Sequence, residues 1–221
     1  MDNRIVSTQE QQMELNFWRN AMRMNTSIPA IVDSFDVATQ RVSAIPAIQA
    51  KYITPDQEVK YIDYPIITNI PLAIQRTAGL NITVPVKKGD LCTLIFSQRS
   101  LDNLLLDSTK PAKPFEGPDP RTSALRCFDM TDAMCFPGII TNDLAISNYN
   151  NSAIEIRNAD GSTKISVTEN SLNFTQGGAT LELSGGNVTI TATKITLNGK
   201  DWATHKHSGV TSGGSNTGVV A

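Results

Sequence analysis

Histidine is almost absent from this chain: there are two in 221 residues, His205 and His207, and a single lysine separates them. Cysteine is nearly as scarce. Cys92, Cys127 and Cys135 are an odd number at spacings that match no zinc-ligand pattern, so free thiols of a reducing cytosol are expected. There is no basic surplus either, with a formal net charge of −2 and no Lys/Arg cluster that could follow a phosphate backbone. Nucleic acid is therefore not an expected partner. No segment approaches ~20 consecutive apolar residues, and the N-terminal MDNRIVSTQEQQ lacks an apolar h-region. Neither a membrane span nor a signal peptide is expected.

Proline is missing from the whole C-terminal part. All eleven prolines lie at or before Pro137, whereas ten of the fourteen glycines lie at or after Gly161. From Thr141 onward, Ser, Thr, Asn and Gly make up 41 of 81 residues, and the aromatics are Tyr149, Phe174 and Trp202. Such a composition ordinarily signals disorder, but the apolar residues here are spaced too regularly. They come in pairs separated by one polar residue: Ile154/Ile156, Ile165/Val167, Leu172/Phe174, Leu181/Leu183, Val188/Ile190 and Ile195/Leu197. Turn-forming NADGS, ENS, GG and SGGN stand between them, so the pattern predicts short strands that share one apolar face.

One chain cannot bury that face by itself, and a lone six-strand meander would leave it wet with both edges open. Three copies wound around a common axis solve the problem, with the pairs inward and the turns outside. The absence of proline fits, because each one would delete a ladder hydrogen bond. A single-chain β-solenoid is the rival, but its coils normally need repeats longer than 7 residues.

The first half reads differently. Ser7-Thr8-Gln9-Glu10 has the form of a capping box, and Met13, Phe17, Ala21 and Met24 follow at helical spacing, predicting an amphipathic helix over 7–24 whose apolar face serves core packing or a partner. From Ile28 to Ile140 several strands of 5 to 8 residues with Gly or Pro punctuation predict a small closed barrel. RSLDNLLLDSTKPAKPFEGPDPR starts with a short helical signature and becomes a proline-rich surface loop.

Two segments, VKKGDLCTLIFSQRSLDNLLLD and RCFDMTDAMCFPGII, resemble the N-terminal OB-fold domain of the central spike proteins of contractile-tailed bacteriophages. The polar β-repeat and the terminal H-x-H extend the likeness along most of the chain. The resemblance implies an all-β protein: a helical segment over 1–25, an OB-fold domain over 26–140, an intertwined trimeric β-helix shaft over 141–200, and a metal-capped apex over 201–221. It also implies a structural role without enzymatic activity, as a tail-tip spike that pierces the host outer membrane on sheath contraction. The implied partners are two further copies of the chain, a baseplate hub or tail tube protein and, transiently, that membrane. Synthesis in the host cytoplasm and residence in the virion follow.

In a strand His205 and His207 share a face while Lys206 points away. One chain offers two imidazoles, and three chains around an axis offer six. A tetrahedral zinc would strand two of them, whereas six nitrogens on a threefold axis make an octahedron suited to iron(II), nickel(II) or cobalt(II). The resemblance selects one iron ion per trimer. A filled coordination sphere makes such a metal structural. Trp202 would plug the tapering end, and Gly209, Gly213, Gly214 and Gly218 would let three backbones converge. A cupin-like enzyme would need a third histidine, which the chain lacks.

The alternative function is a tailspike that binds or degrades polysaccharide. Hydrolysis needs paired carboxylates. In the polar repeat Glu155, Asp160, Glu169, Glu182 and Asp201 stand singly, and Asp129 and Asp132 in FDMTDAM have the spacing of turn or helix-start residues.

Overall fold

A computed structural model describes residues 8–106, 108–109, 126–204 and 213. The chain divides into two compact units, 1–141 and 142–221, each with its own sheet.

The first unit begins with α1 (Gln9–Ala21). Its N-cap is Thr8, whose hydroxyl accepts from the Gln11 amide at 3.3 Å while the Gln11 side chain accepts from the Thr8 amide at 3.0 Å. The capping box therefore sits one residue later than Ser7–Glu10 suggests, because glutamine as well as glutamate can reach back to the cap. No residue of α1 is buried.

Five strands then form one sheet: β1 (Ser27–Asp36), β2 (Arg41–Pro46), β5 (Ile67–Pro71), β6 (Leu91–Phe96) and β7 (Ala133–Pro137), in the order β5-β2-β1-β6-β7 with every pairing antiparallel. The hairpin of β3 (Ala50–Ile53) and β4 (Val59–Ile62) is inserted between β2 and β5 and is exposed almost throughout. The sheet curls until its edge strands meet, where Leu72 makes a parallel bridge to Cys135 and the Ala73 amide donates to the Cys135 carbonyl at 2.8 Å. The result is a five-stranded, partly open barrel.

Alternation fills the interior. Val42 and Ala44 of β2, Cys92 and Leu94 of β6, and Ala133 and Cys135 of β7 all face inward and are buried. Small residues dominate because a five-stranded barrel has little room at its axis. Two bulges adjust the pattern. On β1 the register slips between Val32 and Ser34, and on β5 Ile67 and Ile70, three residues apart, both reach the core. The second slip is possible because Asn69 adopts φ 61°, so the extra residue is absorbed without turning Ile67 outward.

After β6 the chain forms α2 (Asp102–Leu106), the short helix expected there; most of the proline-rich stretch after it lies outside the described residues.

The second unit opens with a 3-10 turn at Asn142–Leu144 and continues as a five-stranded antiparallel meander: β8 (Ile154–Arg157), β9 (Thr163–Val167), β10 (Ser171–Gln176), β11 (Ala179–Ser184) and β12 (Asn187–Thr191). Tight turns join neighbours. Between β11 and β12 both central residues, Gly185 and Gly186, have positive φ (56° and 79°), the conformation that matches the twist of a two-residue hairpin. The sixth apolar pair does not extend the meander. Leu197 lies in a separate hairpin of β13 (Thr196–Leu197) and β14 (Lys200–Asp201), after the ladder ends at Thr191. Among the described residues the chain is thus mostly β, with few helices.

Candidate assembly face and tip

The meander registers bring ten apolar residues into two rows. Ile154 stands opposite Val167, Val167 opposite Leu172, Leu172 opposite Leu183, and Leu183 opposite Val188. The second row runs Ile156, Ile165, Phe174, Leu181, Ile190. Members of a pair are two apart and partners lie directly across, so all ten side chains emerge on one face. That face remains open to solvent. Ile154 and Ile156 are 75% and 69% exposed at one edge, Val188 is 66% exposed at the other, and even the central Phe174 retains 40%.

The reverse face is polar and, near β8, tightly bonded. Glu155 accepts from Lys164 at 3.2 Å and from Arg157 at 3.3 Å, and its side chain is only 7% exposed. Arg157 also donates to the carbonyls of Ser147 and Asn148, both at 2.9 Å, which ties the entering loop to the sheet. Burial pushes the Glu155 carboxyl up, but hydrogen bonds from Lys164 and Asn150 and the charges of Lys164 and Arg157 outweigh it and hold the group below its ordinary value. Glu155 is therefore not the solvated single charge that its sequence surroundings suggest. Arg157, two residues along the same strand, shares its face by alternation, whereas Lys164 becomes adjacent only through the β8–β9 register, which no local pattern announces. Gly161 contributes too, since a Cβ there would lie 2.5 Å from the Arg157 guanidinium.

The other acids in this unit have ordinary tasks. Asp160 accepts from the Ser162 amide at 2.9 Å, and Asp201 pairs with Lys194 at 3.9 Å and accepts from the Ala203 amide. Past β14, Trp202 donates its amide to the Ile195 carbonyl at 2.8 Å and is 58% exposed, lining a shallow hollow with Leu197, Lys200 and Asp201. His205 and His207, the expected metal ligands, lie outside the described residues, as do Gly209, Gly214 and Gly218. Among the described residues no group of three or more His, Cys, Asp or Glu side chains is placed to hold a metal ion.

In the barrel, Asp129 and Asp132 do not form a carboxylate pair facing a cleft. Asp132 is 1% exposed and receives the Leu101 amide at 2.9 Å and two bonds from Arg126, Nε to Oδ2 at 3.0 Å and Nη2 to Oδ1 at 2.9 Å. Arg126 also reaches Ser100 at 2.6 Å and Asp102 at 2.8 Å. The bond to Asp102, opposed by partial burial and reinforced by Asp132, holds the guanidinium above its ordinary value. This network ties the chain before α2 to the chain entering β7. Asp129 instead accepts the Thr131 hydroxyl at 2.6 Å and its amide at 2.9 Å, which lowers its carboxyl below the ordinary value. The buried thiols of Cys92 and Cys135 neighbour one another, and the hydrogen bond that Cys135 donates to Cys92, together with burial, pushes the Cys135 thiol up.

This curled barrel resembles a known family. Residues 28–138, half of the sequence, match the family described as phage protein Gp138 N-terminal domain. The chain belongs to that family. It is a phage protein, a baseplate-related structural component of the virion. The Gp138 domain begins within β1 and ends just after β7, so it takes in all five barrel strands, the β3–β4 hairpin and the Arg126–Asp132 network. No curated protein matches the chain.

Proposed function

We propose that this Gp138-family chain is the tail-tip spike of a contractile phage tail, a homotrimer driven through the host outer membrane when the sheath contracts. The observation that carries the reading is the ten-residue apolar face of β8–β12, ordered in register yet open in the single chain. A face of that kind marks an association surface, and the open edges of β8 and β12 are places where further strands can pair. Three copies turned inward exclude water from both rows and leave the Thr, Asn and ion-paired faces in solvent. The outcome is a stiff body, because opening one chain's strands exposes apolar surface on the other two. The barrel, of the OB type, is the attachment to the hub or tube.

His205 and His207 are the residues that would hold an iron ion. The donor set suits it only across copies, since each chain supplies two imidazoles and three chains supply the six of an octahedral site. When bound, the ion supplies a cross-link among three chains.

Sedimentation equilibrium tests the assembly: the full chain should behave as a particle of three 24.0 kDa copies, and a species of one copy at micromolar concentration would overturn it. Gold-labelled antibody on intact virions tests the location. Label confined to the distal end of the tail is expected, and label along the sheath removes the spike assignment.

A further inference from the structure

A helix of 13 residues without tertiary packing is marginal in water, yet α1 has a complete capping box and no buried residue. Met13, Phe17 and Ala21 fall at four-residue spacing on one side, with Glu10 and Glu14 on the same side. Phe17 is 66% exposed, and its ring meets that of Trp18 edge-on at 5.8 Å. A second open apolar surface lies in the same unit. The segment after β5 folds back as an arm, with the Ile82 amide donating to Gln75 at 3.0 Å and an antiparallel bridge between Arg76 and Asn81. Beside β7 this arm borders a groove of about 480 Å³, lined by Ile74, Ile82, Val84, Phe136 and Pro137.

We infer that α1 of one copy docks in the arm groove of a neighbouring copy. Within one chain the two surfaces stay open, so neither covers the other. Their charges are complementary. On the side of α1 that carries Phe17 the charges are Glu10 and Glu14, the helix's one base, Arg19, falling on the opposite side, while residues 73–88 carry Arg76, Lys87 and Lys88 and no acid. Lys88 is engaged by Asp33 at 2.7 Å, but Glu10, Glu14 and Arg76 have no ion-pair partner among the described residues. Each chain offers one donor helix and one acceptor groove. Such a head-to-tail contact closes after three copies around a threefold axis, so the inference rests on the trimeric reading above. Burial of Phe17 and Met13, flanked by a Glu14–Arg76 pair, is the contact it specifies.

The test places a benzophenone amino acid at position 17 of the full chain and irradiates the assembled particle. The expected product on a denaturing gel is a two-chain species whose cross-linked peptide maps to residues 73–84 or 133–137. A link within one chain, a link elsewhere, or no link in a particle that still sediments as three copies overturns the docking and leaves the trimer standing. A particle that sediments as one copy overturns both. Glu14→Arg should lower the cross-linking yield about fivefold, and Glu14→Arg combined with Arg76→Glu should restore it. Failure of the double variant to recover removes the charge pairing and the docking pose with it.

Discussion

Phe174 offers the sharpest test of the shaft because it sits in the middle strand, opposite both Ile165 and Leu181. It is 40% exposed in the single chain. Of an aromatic side chain's ~200 Å², roughly 80 Å² therefore stays wet until copies associate, and Phe174→Ala removes about 60 Å² of it. At about 25 cal/mol per Å² the loss is about 1.5 kcal/mol per chain, or about 4.5 kcal/mol per trimer. That corresponds to about a thousandfold in the three-chain association constant, so the concentration giving half-assembly should rise about thirtyfold. Sedimentation velocity across a dilution series reads this directly. Thr189→Ala, exposed on the opposite face of β12, is the control and should assemble like the parent. Unchanged assembly of Phe174→Ala, or equal disruption by Thr189→Ala, would refute the inward orientation of the rows.

In the barrel, Asp132→Ala should cost about 2 kcal/mol in chemical denaturation, because it leaves the Leu101 amide without its acceptor and removes two of the bonds of Arg126, which keeps Ser100 and Asp102; Asp132→Asn, whose amide oxygen can still accept from Leu101, should recover part of the loss. Asp129 titrates lower in the folded barrel than its ordinary 3.8, so its stabilisation is complete above that pH and is lost as pH falls through the lower folded value. Asp129→Asn should accordingly flatten the acid limb of a stability-versus-pH curve below about pH 3.8. On the proposed function, elemental analysis of the parent should give one iron per three chains and of a His205→Ala, His207→Ala variant none, and acid should release the ion at or below the ordinary imidazole pKa of about 6.5, because protons compete with the metal for the nitrogens. Iodoacetamide should label the exposed Cys127 alone in the native protein and all three thiols after unfolding, as intact-mass spectrometry would show.

Much of the β architecture is legible in the chain because its causes are local. Two-residue apolar periodicity, Gly-rich turns and the absence of proline define each strand of the meander and the face its side chains take, since alternation is a property of extended backbone. The capping signal likewise starts α1 from within a few residues, and only its frame is ambiguous where Thr8/Gln11 competes with Ser7/Glu10.

The remainder depends on which segments become neighbours. Phe174 facing Ile165 and Leu181 is a matter of register, and so is the approach of Lys164 to Glu155. Ile67 and Ile70 share the core because Asn69 takes a left-handed conformation, which periodicity alone would have misread. Asp132 reads as a turn residue until the chain from Ser100 to Asp102 and Arg126 converge on it. Periodicity by itself decided which side chains point together, because it is written in consecutive residues. Which partners they meet required the folded chain, because strand pairing and charge pairing join residues that are separated in sequence.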